Sequence, residues 1–121
     1  MKILLFCKDN CNLSDRAIDY LKKYNINLLF VKSKSRFEKI PSEFLTWKGD
    51  YIFSFQSYFY IPIQLIKNST LAVNFHPGPP EYPGSGMVNW ALYDDCKKFG
   101  VTAHIMNNLI DNGRIIKVIR L

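Results

Sequence analysis

Lys2-Ile3-Leu4-Leu5-Phe6-Cys7, then Ser14 and the stretch 15–24, then Asn27-Leu28-Leu29-Phe30-Val31-Lys32 together decide the fold. Short apolar runs without alternation read as strands buried on both faces. Between them, Ser14 stands where an N-cap belongs, and Ala17, Ile18 and Leu21 share one helical face, which predicts a helix over 15–24. Similar runs recur at 50–55, 71–75 and 101–106. Val88, Ala91, Leu92 and Cys96 repeat the helical spacing, closed by Lys97-Lys98 and Gly100. Strands alternating with helices predict an α/β, Rossmann-like fold, a mostly parallel sheet with right-handed crossovers and helices on both faces. The seven residues 107–113 fall short of the roughly dozen a parallel crossover needs, so 114–120 is expected to turn back as an antiparallel last strand.

Working outward, the 121 residues fit a single domain, 1–121, able to bury roughly two thirds of its unfolded surface. At 48% hydrophobic and 21% charged residues the composition excludes wholesale disorder. No run reaches the roughly 18 apolar residues of a membrane span, and 1–7 is too short for a signal sequence, so a cytoplasmic protein without membrane partners is expected. Cys7, Cys11 and Cys96 match neither a zinc ribbon nor a redox pair and read as reduced packing residues. The net charge of +6 favours anionic ligands, but its lysines and arginines are scattered, as on a solvated surface.

Ligands of such sheets bind beyond the carboxyl ends of the strands. Those ends carry Cys7-Lys8-Asp9, Phe55-Gln56-Ser57, Asn74-Phe75-His76, and the lead from Asn107-Asn108 to Asp111. After Asn74-Phe75-His76 comes Pro77-Gly78-Pro79-Pro80-Glu81-Tyr82-Pro83-Gly84-Ser85-Gly86, a loop stiffened by proline and shaped by glycine. Side chains alternate along a strand, so Asn74 and His76 project to one side, where an amide and an imidazole can address a developing oxyanion. The plain alternative is a structural histidine and a turn-closing asparagine. His104 and Asp111 add an imidazole and a carboxylate, though Asp111-Asn112-Gly113 also reads as a turn before a strand. With two histidines and no closely spaced carboxylate set, no metal site is expected.

Asn74-x-His76-Pro77 with its Pro/Gly-rich loop, Gly100-Val101-Thr102-x-His104, and Ile110-Asp111-x-Gly113-x-Ile115-Ile116 closely resemble the 10-formyltetrahydrofolate-dependent formyltransferases. These include methionyl-tRNA, glycinamide ribonucleotide and sugar N-formyltransferases. The likeness is strongest over 50–118, and the loop wording is most similar to bacterial sugar N-formyltransferases. The resemblance implies the formyltransferase fold, a 10-formyltetrahydrofolate donor and no metal. It implies a catalytic set of Asn74, His76 and Asp111. A primary amine would attack the formyl carbonyl; Asn74 and protonated His76 would stabilise the oxyanion of the tetrahedral intermediate, with His76 moving the proton and Asp111 anchoring His76 or a water. His104 would take a supporting role near Asp111. The folate pocket would be built from Phe55, Gln56, Ser57, Met106, Asn107, Asn108 and Ile110, with Phe55 or Tyr58 as aromatic walls unless these are ordinary core.

Purine-pathway members carry a glycine-rich phosphate loop where this chain has residues 7–14, and Gly78-Pro79-Pro80 replaces the commoner Ser-Leu-Leu-Pro. The expected acceptor is therefore a small-molecule amine, a nucleotide-linked amino sugar, and nucleic acid is not an expected partner. Family catalytic domains run longer, so a minimal enzyme, a truncation or a remnant are all open. The alternatives are a folate-binding, non-catalytic module and a methionyl-tRNA formyltransferase.

Overall fold

The computed structural model describes residues 1–77, 100–106 and 113–120. The six strands are β1 (Lys2–Lys8), β2 (Asn27–Ser33), β3 (Gly49–Phe55), β4 (Ser69–His76), β5 (Gly100–Ile105) and β6 (Ile115–Arg120), with helices α1 (Asn12–Lys22) and α2 (Ile63–Ile66) and a 3-10 turn at Ser42–Phe44. They form one sheet in the order β2-β1-β3-β4-β5-β6. The loop 78–86, the helix expected around 88–98 with Cys96, and residues 107–112 lie outside the described residues.

The unbroken apolar run of β1 makes it a strand covered on both faces, parallel to β2 on one side and β3 on the other. Leu4 and Phe6 face a core shared with Ile52, Phe59, Ile61, Leu65 and Ala72. Leu5 and Cys7 face the opposite way, onto Ile18 of α1. The connection from β1 to β2 thus covers one face, and the connection through α2 covers the other. The chain moves out to β2 and returns past β1 to β3, so swapping faces keeps its crossovers of one hand.

Two expectations are corrected. Ser14 does not cap α1: Cys11 holds the N-cap position without a side-chain bond, while the buried Ser14 hydroxyl accepts the Lys8 backbone N–H at 3.1 Å. Tying strand to helix satisfies a backbone donor that would otherwise be lost at the strand end. The second correction concerns direction. β6 does turn back against its neighbour β5, but β5 is also antiparallel to β4, so it alone opposes the other five strands. A long connection permits a parallel neighbour without requiring one. Gly113 at the β5–β6 turn packs so closely that a Cβ there would collide with the Ile105 carbonyl.

The carboxyl ends of the first three strands are pinned by one hydroxyl. Ser33 Oγ donates to the Cys7 carbonyl at 3.0 Å and accepts the Tyr58 N–H at 3.0 Å, and Ser33 is fully buried. Ser33→Ala should lower stability by about 1–3 kcal/mol, because both backbone partners lose their bond out of reach of water. Urea unfolding checks this, and an unchanged midpoint would show that water replaces the hydroxyl.

Candidate active site

β4 positions the site. Its alternation sends Ala72, Asn74 and His76 to the α2 side and Val73 and Phe75 to the α1 side. Asn74 stands level with Ser54 on β3 and with His104 on β5, and His76 stands level with Thr102. Ser54, His76, Thr102 and His104 are all buried. The result is a polar row across three strands. The Asn74 amide donates from Nδ2 to His104 Nε2 at 3.2 Å, and His104 Nδ1 lies 3.3 Å from the Ile105 carbonyl. An amide NH2 can only donate, so Nε2 is the acceptor and the Asn74 amide plane is fixed. The β5–β6 pairing slips register between Ala103 and His104, the kind of irregularity that re-aims a side chain beside a site.

Three of the candidate residues therefore come together: Asn74, His76 and His104. Because β5 runs backwards, His104 reaches the site from alongside Asn74 and not from a strand tip beside the others. The carboxyl end of β5 instead runs back along β4, where the Met106 N–H donates to the Ala72 carbonyl at 2.8 Å. Asp111, Asn107, Asn108 and Ile110 lie outside the described residues. The sequence reading missed Ser54 and the Asn74–His104 bond, since both depend on strand register.

The expected folate residues divide between the faces. Met106 packs against the α2-side core; Phe55 packs on the α1 side, edge-on to Phe75 with centroids 6.1 Å apart. Phe55 is thus a packing residue as well as a wall. Gln56 takes φ 59, turning the chain sharply after β3. Ser57 Oγ accepts the Phe59 N–H at 3.0 Å, shaping the same turn. Gln56 and His76 both border a largely apolar cavity of about 230 Å³ walled by Phe55, Phe75, Val101 and Ile119. These walls belong to the α1 side of the sheet, the face opposite the one to which Asn74 and His76 project.

The thiols differ in their surroundings. Burial pushes Cys7 up, while the bond to Ser14 pulls Cys11 down despite some burial. Iodoacetamide at mildly alkaline pH should alkylate Cys11 well before Cys7, because the thiolate is the reactive form. Peptide mapping by mass spectrometry reads the order, and equal labelling of both would refute it.

A parallel-cored α/β sheet with an amide and an imidazole at the end of one strand defines a ligand-binding domain of the Rossmann-like class. A family model described as formyl transferase matches residues 9–121. The chain belongs to this formyl transferase family. No curated protein matches the sequence significantly. Among solved structures, HypX from Aquifex aeolicus in complex with tetrahydrofolic acid is similar, with a TM-score of 0.80 and 21% identity, over 100% of this chain and 21% of that one. Methionyl-tRNA formyltransferase from Clostridium thermocellum gives 0.74 and 18% identity, over 100% and 53%. The formyltransferase PseJ from Anoxybacillus kamchatkensis, in complex with UDP-4,6-dideoxy-4-formamido-L-AltNAc and tetrahydrofolate, gives 0.71 and 22%, over 100% and 60%. These likenesses establish the shared fold, and the chain spans from about a fifth to three fifths of the length of these relatives.

Proposed function

We propose that this domain transfers a formyl group from 10-formyltetrahydrofolate to a primary amine of a small-molecule acceptor, a nucleotide-linked amino sugar. The observation that carries this reading is the placement of Asn74 and His76 on one side of the β4 end, with the Asn74 amide held by His104 at 3.2 Å. The donor supplies an activated formyl carbonyl. As the acceptor amine adds to it, negative charge grows on the carbonyl oxygen, and the Asn74 amide and the His76 imidazole stabilise that charge. His76 then carries a proton from the amine toward the departing folate nitrogen. Asp111 is the carboxylate proposed to orient His76 or a water between them. His104 acts through Asn74 and is a positioning residue.

The assay supplies 10-formyltetrahydrofolate with nucleotide-linked amino sugars and follows tetrahydrofolate release. Turnover with such an amine supports the reading. If no amine is formylated while a longer relative works under the same conditions, catalysis by this chain is refuted; tetrahydrofolate binding in calorimetry would then identify a binding module.

A further inference from the structure

Cys7 and Cys11 play no part in the proposed formyl transfer, yet the fold sets them side by side. Cys7 ends the buried run of β1, with its side chain on the α1 side against Ile18. Cys11 is the N-cap of α1 and is partly exposed. Only Lys8, Asp9 and Asn10 lie between them, and Asn10 at φ 50 turns the chain back so that the helix starts beside the strand it has just left. Ser14 fixes that return, because its buried hydroxyl accepts the N–H of the amide that joins Lys8 to Cys7, at 3.1 Å. Ser14 is also the third residue of α1, the position toward which an N-cap side chain points. Both sulfurs therefore lie beside one hydroxyl and within electrostatic reach of each other. Both are free thiols.

The two are unequal. The Ser14 hydroxyl, outweighing slight burial and joined by the Ser14 and Leu13 backbone N–H groups, holds the Cys11 thiol below its ordinary range. The accessible sulfur is thus the one richer in thiolate. Burial pushes the Cys7 thiol up, against the pull of Lys32, which stands level with it on β2. Cys7 donates a weak bond to the Val31 carbonyl at 3.8 Å, so little holds its sulfur away from Cys11. An accessible thiolate next to a sheltered second thiol is the arrangement of a redox-sensing pair.

We infer that Cys11 and Cys7 form a reversible oxidation site for a hydroperoxide, in which Cys11 is oxidised first and Cys7 closes a disulfide onto it. The Cys11 thiolate attacks a peroxide oxygen, the O–O bond breaks, and a sulfenic acid forms while the departing alkoxide or hydroxide takes a proton from solvent. The Cys7 sulfur then attacks the Cys11 sulfur; the S–S bond forms as the S–O bond breaks, and the hydroxyl leaves as water with the Cys7 proton. Two thiols are oxidised, one hydroperoxide is reduced, and a dithiol reductant reverses the change. The disulfide straps the end of β1 to the start of α1 and closes residues 8–10 into a ring.

The test treats the reduced full chain with hydrogen peroxide at neutral pH, with and without dimedone, and maps the products by mass spectrometry. The wild type should lose two hydrogens and yield a linked Cys7–Cys11 peptide that dithiothreitol returns to thiols, and Cys96→Ser should give the same bridge. Cys7→Ala should stop at a Cys11 sulfenic acid trapped by dimedone. Cys11→Ser keeps a favoured N-cap residue and so preserves the helix start; it should abolish the bridge and leave Cys7 unoxidised under the same exposure. Thiols left intact by peroxide, a bridge to Cys96 in place of Cys7, oxidation of Cys7 ahead of Cys11, or a wild-type Cys11 that proceeds to sulfinic acid without closing the bridge would overturn the inference.

Discussion

Replacing His76 by Ala should slow formyl transfer by about 10²- to 10³-fold, and Asn74→Ala should cost a similar factor. In the proposed mechanism each substitution removes one polar group from the carbonyl oxygen at the moment charge develops there. The His76 substitution also removes the proton carrier. The bond to His104 fixes the plane of the Asn74 amide, and preorganised polar groups of this kind need no rearrangement during a reaction. Single-turnover kinetics at saturating donor would read the chemical step directly. Because His76 is buried, a thermal melt of each variant separates lost chemistry from lost folding. A tenfold or smaller loss at both positions would contradict the roles assigned. His104→Gln, which keeps a polar group opposite Asn74, should recover part of the rate lost in His104→Ala, as expected of a positioning residue.

The largest effect on stability is expected from Phe6→Ala, about 3–5 kcal/mol. Phe6 lies in the central strand, fully buried, and meets the Phe59 ring edge-on at 5.5 Å. Its removal leaves a cavity that the surrounding strands cannot fill by collapsing, since β1 is bonded on both sides. Against a typical net stability of about 5–15 kcal/mol such a loss is severe. Phe37→Ala is the natural control: that ring is 92% exposed, and surface changes usually stay within about 0.5 kcal/mol. Denaturant unfolding of both variants gives the comparison. Equal midpoints would show that the core is not where the burial pattern puts it.

Much of the fold was legible because its decisive strands are short apolar runs. Those at 2–7, 27–32 and 50–55 fall within a residue of β1, β2 and β3, but burial on both faces holds for β1 alone of the three: the edge strand β2 leaves Leu29 and Phe30 exposed. The period of two likewise put Asn74 and His76 on one side before any coordinates. Other features were hidden for physical reasons. α2 has only four residues, too few to show a helical period. Ser14 has the chemistry of a cap, and nothing local reveals that its hydroxyl turns inward to Lys8. The direction of β5 depends on how a long connection returns, which spacing leaves undetermined, and with that direction went the pairing of His104 with Asn74.

The bond between Asn74 and His104 spans thirty positions of the chain, whereas, among the described residues, every buried residue of the two apolar clusters lies at or before Ala72. During synthesis, the residues of both clusters leave the ribosome before the second imidazole does. Distant antiparallel partners join more slowly than local ones, so the bond between Asn74 and His104 is expected to form late. Translation arrested just short of residue 104 would release a product that carries every buried residue of both clusters and lacks the imidazole that Asn74 bonds.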